Sequence, residues 1–167
     1  MKNNEGFSLI EMIIVVAILA IMSVGAAAGF GYLNLANASK CASKIDSGVT
    51  LLKSKNMANA TPTYMHLYQY DGDYYIQYND DSTYTPTASD YDEGECIGNN
   101  RLTITYRDGN AASATTLGEG ACKTLGIRKK DGAFTGTTEP TCIITVKGQS
   151  SYQVTLVTNT GKHFRDR

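Results

Sequence analysis

Cysteines, histidines and acidic residues are the side chains of this 167-residue chain that could do chemistry. Cys41, Cys96, Cys122 and Cys142 lie 55, 26 and 20 residues apart, far from any zinc-ligand or thioredoxin-type spacing. Their even number points instead to crosslinks. His66 and His163 have no CxxC or HExxH company, so metal-assisted catalysis has no scaffold, and both read as surface or interface side chains. Asp80, Asp81, Asp90, Asp92, Glu93 and Glu95 form an acidic run without a basic residue. Calcium needs several oxygen ligands, but this run lacks the regular spacing of a calcium loop and reads as solvated. Gly118 to Thr124 lacks the glycine before Lys123 and the preceding strand that a phosphate loop requires. No nucleophile, base or metal cluster is visible, so the reading is neither an enzyme nor a cofactor binder.

One further acid stands apart. Glu11 lies inside an apolar stretch in which 21 of the 27 positions from Phe7 to Leu33 are hydrophobic, and no charge follows it until Lys40. A helix over 7–33 would be roughly 40 Å long, enough for a hydrocarbon core of about 30 Å. A secretory signal peptide is the plainer alternative, but a carboxylate at such depth is costly and marks a functional site. Beyond Leu33 the chain is polar, with a net charge of −1 and a pI near 6.1. Nucleic-acid binders are normally basic, so Arg101, Arg107, Arg128, Lys129, Lys130, Arg165 and Arg167 read as a solvated face.

The run Gly6-Phe7-Ser8-Leu9-Ile10-Glu11, after a short polar leader and before MIIVVAILAI, resembles the N-terminus of type IV pilins and pseudopilins. The resemblance covers about the first 30 residues. It implies that a membrane-embedded prepilin peptidase cuts between Gly6 and Phe7 and methylates the new amine of Phe7. It implies too that the mature subunit waits in the membrane before the assembly machinery draws it into a helical filament. Glu11 would be the assembly residue, meeting the cationic amine of a neighbouring subunit. Leader recognition or capping of the first helical turn are the plainer roles for it. Family members often carry a proline partway down this helix. Here Gly25, Gly29 and Gly31 stand in that region, so Ser23 to Gly31 is the weakest part of the rod and is expected to melt in a filament.

These residues must be carried by a small set of elements. Leu35, Ala38, Cys41, Ala42, Ile45, Val49 and Leu52 recur at three- and four-residue steps, which predicts an amphipathic helix ending near Asn59 and Pro62. Two β-prone runs flank Asp71-Gly72 and predict a hairpin, with six tyrosines in 64–78 read mainly as cross-strand packing. Arg101 to Arg107, Thr141 to Lys147 and Tyr152 to Thr158 are further strand candidates, the last two forming a hairpin. Glu119 to Lys130 reads as either a short helix or a loop. The expected fold is α+β: a leader (1–6), an apolar helix half (7–33), an amphipathic half (34–61) and a β-rich head (62–167) holding an antiparallel sheet.

With a head facing an oxidising exterior, the four cysteines are expected in two disulfides, preferably Cys41 to Cys96 and Cys122 to Cys142 among three possible connectivities. The leading function is a structural subunit of a surface pilus, with other pilin subunits, the prepilin peptidase, the membrane and the assembly machinery as partners. A pseudopilin or minor pilin of a secretion or competence system is the alternative within the family. A single-pass anchored binding domain is the alternative outside it.

Overall fold

The computed structural model describes residues 8–87, 94–109, 111, 113–137 and 139–166, with the side chains of 24–35 excepted. Its first element is helix α1 (Leu9–Ala58), 50 residues without a break and therefore about 75 Å long. Ser8 starts it with an extended backbone (φ −72°, ψ 149°). Asn59 stops it by returning to an extended conformation, its N–H still donating to the Lys55 carbonyl at 2.9 Å. The turn away is clamped by Asn56, which donates to the carbonyls of Leu52 and Thr63 and accepts from the Thr63 N–H.

The predicted stripe is buried from Ala38 onward, and the Leu35 side chain lies outside the described part. Ala38, Cys41, Ala42, Ile45, Val49 and Leu52 are fully buried, whereas Lys40, Ser43, Lys44 and Ser47 between them are exposed. A stripe of this period shows one face to a core.

The core has two walls. Strands β1 (Tyr64–Tyr70), β2 (Asp73–Asn79), β3 (Glu95–Gly98), β6 (Cys122–Ile127) and β7 (Phe134–Thr135) form one antiparallel sheet in the order β3-β2-β1-β6-β7. Strands β4 (Thr103–Asp108), β5 (Thr115–Thr116), β8 (Thr141–Lys147), β9 (Ser151–Val157) and β10 (Lys162–Asp166) form a second, in the order β10-β9-β8-β4-β5. Helix α1 touches β1, β2, β3 and β6 of the first sheet and β8, β9 and β10 of the second. Met65, Leu67, Ile76 and Leu125 from one sheet and Ile104, Ile144, Val146, Val154 and Leu156 from the other complete a single apolar cluster with the helix stripe.

The α+β class is as expected, but the head holds two sheets. Both sheets bury their inward residues against the same helix, a solution open to strands that alternate apolar and polar side chains. The β1–β2 hairpin turns at Asp71 (φ 48°) and Gly72 (φ 80°), the left-handed pair that a two-residue hairpin needs. Thr141 to Lys147 and Ser151 to Val157 pair as predicted. Glu119 to Lys130 proves to contain strand β6, whose Lys123, Leu125 and Ile127 alternate inward and whose partner β1 is distant in sequence.

Candidate functional site

Ser8 and Glu11 interlock at the start of α1. The Ser8 N–H donates to Glu11 Oε2 at 2.9 Å, and the Glu11 N–H donates to Ser8 Oγ at 3.3 Å. Two of the unpaired donors of the first turn are satisfied, and the carboxylate lies where the positive end of the helix dipole favours it. The Ser-x-x-Glu spacing carried that signal, although Ser8 was not singled out in the sequence. Gly6 and Phe7 lie outside the described residues. From Leu9 to Met22 every large apolar side chain is between 51% and 78% exposed. A surface of that kind requires cover by lipid or by other protein. Among the described residues no helix is long and apolar enough to cross a membrane, and the expected span at 7–33 runs on into residues whose side chains are not described. Gly25, Gly29 and Gly31 fall within the unbroken helix of this single chain.

All four cysteines are free thiols here, where two disulfides were expected. Cys122 and Cys142 are not bonded to each other. Cys122 faces away from the core, its Sγ 3.9 Å from both His66 Nδ1 and Thr124 Oγ1. Cys142 is buried on β8 beside Ile144 and Val146, where it hydrogen-bonds Asp108. Burial pushes the Cys142 thiol up to about 12 and Cys122 in the same direction. Cys41 is pushed up to about 12, first by burial and further by Cys96 nearby.

His66 corrects the expectation of a surface histidine, since it is fully buried. Tyr84 covers it with ring centroids 4.9 Å apart, which shows the chain after β2 folding back over the outer face of the first sheet. Its Nε2 lies 2.7 Å from Asn79 Oδ1 and its Nδ1 lies 3.0 Å from Thr124 Oγ1. Asn79 Oδ1 can only accept, so Nε2 carries the proton and Nδ1 accepts from Thr124. Burial lowers the His66 pKa, which holds the ring neutral. A protonated thiol beside a neutral, hydrogen-bonded ring is a packed cluster, not an activated nucleophile.

Against known proteins, residues 1–27 match the prokaryotic N-terminal methylation motif. The chain carries the class III leader of type IV pilins and pseudopilins. No curated protein and no solved structure is significantly similar to it.

A pilin-like motif implies a structural, non-enzymatic protein that associates with other pilin subunits and with assembly machinery. It implies a membrane-anchored precursor that becomes part of a surface pilus. Among the described residues no group of three or more His, Cys, Asp or Glu side chains is placed to hold a metal ion. Of the acidic run, residues 88–93 lie outside the described part, Asp80 is exposed, and Glu95 pairs with Lys44 at 2.9 Å.

Two polar clusters tie the head together, and neither was legible beforehand. Lys123 reaches from β6 across to Asp108 on β4 at 2.8 Å, with Tyr106 4.8 Å from its ammonium, and so joins the two sheets. A cleft of about 480 Å³ opens beside this pair, with Cys122 on its wall. Burial alone would raise Asp108, but hydrogen bonds with Lys123, Cys142 and Thr137 hold it below the usual carboxylate value. At the other edge His163 on β10 meets Thr50 at 3.1 Å, Lys53 at 3.2 Å and Asp46 at 3.7 Å, which binds the last strand to α1. Both clusters join residues far apart in sequence, so no local pattern announces them.

Proposed function

We propose that this chain is a structural subunit of a type IV pilus, polymerising through the apolar half of α1 into an extracellular filament while the two-sheet head faces outward. One observation carries the reading: a methylation motif opens directly into a helix whose first half, through Met22, is apolar and bare and whose second half packs one buried stripe on the head. In this reading the peptidase cuts between Gly6 and Phe7, Phe7 is methylated, and the mature subunit is held by residues 7–33 in the membrane before the assembly machinery extracts it. The head, 62–167, stays outside the membrane and carries no catalytic duty.

Glu11 is the residue on which assembly turns. Cleavage creates a cation at Phe7, four residues from the carboxylate, in surroundings where an unpaired charge is costly. Ser8 already occupies Glu11 within its own chain, so the contact with a neighbour competes with a cap worth about 1 kcal/mol. In cells lacking other pilins, Glu11→Gln is expected to give a normally cleaved, membrane-resident subunit without fibres. Uncleaved precursor would assign Glu11 to leader recognition, and abundant normal fibres would show the carboxylate dispensable.

A further inference from the structure

Cys41 and Cys96 flank the same residue. A methyl group added to Gly98 would meet Cys41 Sγ at 3.2 Å and Cys41 Cβ at 3.7 Å, while Cys96 Sγ lies 3.7 Å from the Gly98 carbonyl. Gly98 thus lets the Cys41 sulfur and Leu102 Cδ1, which such a methyl would meet at 3.0 Å, pack directly on the β3 backbone two residues from Cys96. One helical turn further on, Lys44 donates to the Cys96 carbonyl at 2.8 Å and pairs with Glu95 at 2.9 Å, so the start of β3 is held against α1 from a second side. Cys41 is fully buried on the helix stripe, and Cys96 is exposed. Any oxidant must therefore enter at Cys96.

We propose that a disulfide between Cys41 and Cys96 forms in the exported protein, latching β3 to the point where α1 enters the head, and that Cys122 and Cys142 remain thiols. The chemistry is thiol–disulfide exchange with an external disulfide oxidant, either a small-molecule or a protein disulfide. The Cys96 thiolate attacks one sulfur of that disulfide and expels the other as a thiolate, leaving a mixed disulfide on Cys96. Cys41 then attacks the Cys96 sulfur, giving its proton to solvent or to the departing thiolate, and expels the second thiol. Two protein thiols lose two electrons and two protons, and the oxidant is reduced to two thiols. Burial raises the Cys41 pKa, which makes the second step the slow one.

The latch has a mechanical meaning. Cys41 is only three residues past Ala38, the first buried residue of the stripe among the described side chains, and the apolar half of α1 precedes it in the chain. Tension along the helix would first load this end. A bridge here closes the chain between residues 41 and 96, including the whole β1–β2 hairpin and the acidic run, so the head cannot peel from its N-terminal edge.

The test uses the full-length chain, taken from membranes without reductant and blocked with an alkylating reagent under denaturing conditions before digestion and mass measurement. The expected result is a Cys41–Cys96 linked peptide, two mass units lighter than the two thiol peptides combined, with Cys122 and Cys142 alkylated. Four alkylated cysteines, any bridge involving Cys122 or Cys142, or a Cys96 link between chains would overturn the proposal. Cys96→Ser is at an exposed position and should fold. Its melting midpoint should equal that of the reduced natural chain, about 5–10 °C below the oxidised one. Gly98→Ala crowds Leu102 and the Cys41 sulfur, pushing Cys41 from β3, and should leave both thiols alkylated, and full bridging in that variant would also count against the latch.

Discussion

At the residue scale, the buried polar groups set how the head responds to acid. His66 and His163 both have pKa values lowered from 6.5, chiefly by burial and, for His163, also by Lys53. Near and below that value the unfolded chain takes up protons that the folded chain refuses. Stability is therefore complete above about pH 7 and declines as pH falls through 6.5 toward the lower folded values. Denaturant midpoints between pH 8 and pH 5 should fall accordingly, and His66→Gln should flatten part of that slope. An unchanged slope would mean that His66 binds a proton equally well in both states. Lys123 poses a different question, because removing it strands Asp108. Lys123→Ala should cost about 2–3 kcal/mol in chemical denaturation, less than a fully buried pair because the Asp108 side chain is still 32% exposed. A cost near zero would mean that the ion pair does not hold the sheets together.

At the element scale, α1 is one helix with two different demands on its side chains. Ile45 packs into the core, so Ile45→Ala should destabilise the head by about 2–4 kcal/mol. Ile13 is 59% exposed, and Ile13→Ser should leave head stability within about 0.5 kcal/mol while harming assembly. Equal effects of the two changes on head melting would contradict this division. In the single chain α1 stays helical through Gly25, Gly29 and Gly31. Each glycine costs about 1 kcal/mol against alanine in a helix, so the filament reading expects 23–31 to lose helical form once neighbouring subunits cover it. Continuous helical density there in a filament map would refute that.

The helix was legible in the sequence because its signals are local: an apolar run from Phe7, a three-and-four residue stripe and a stop at Asn59. Asp71-Gly72 was legible for the same reason, since turn chemistry resides in two adjacent residues. Strands β6, β7 and β10 were not, because their existence depends on partners far along the chain and β7 is only two residues long. The site divides in the same way. Glu11 announced itself as a carboxylate in an apolar run. The burial of His66 depends on a segment folding over a sheet, and the surroundings of Cys122 and Cys142 depend on strands that pair far along the chain.

At the scale of the whole molecule, the bare apolar half of α1 and the closed head describe a protein made to be one part of something larger. The head satisfies itself: its core is shared by the helix and two sheets, and polar bridges join the sheets to each other and to α1. The first half of the helix does not, with Leu9 78% and Ile10 66% exposed. That imbalance is the physical content of the proposed filament subunit, and it makes intact mass and N-terminal sequencing of protein sheared from the cell surface the most direct measurement. The account predicts that the chain in fibres begins at Phe7, is after reduction heavier than the unmodified 7–167 product by one methylation, and is the dominant protein of those fibres. A chain still beginning at Met1, spread over the membrane and missing from sheared fibres, would contradict it.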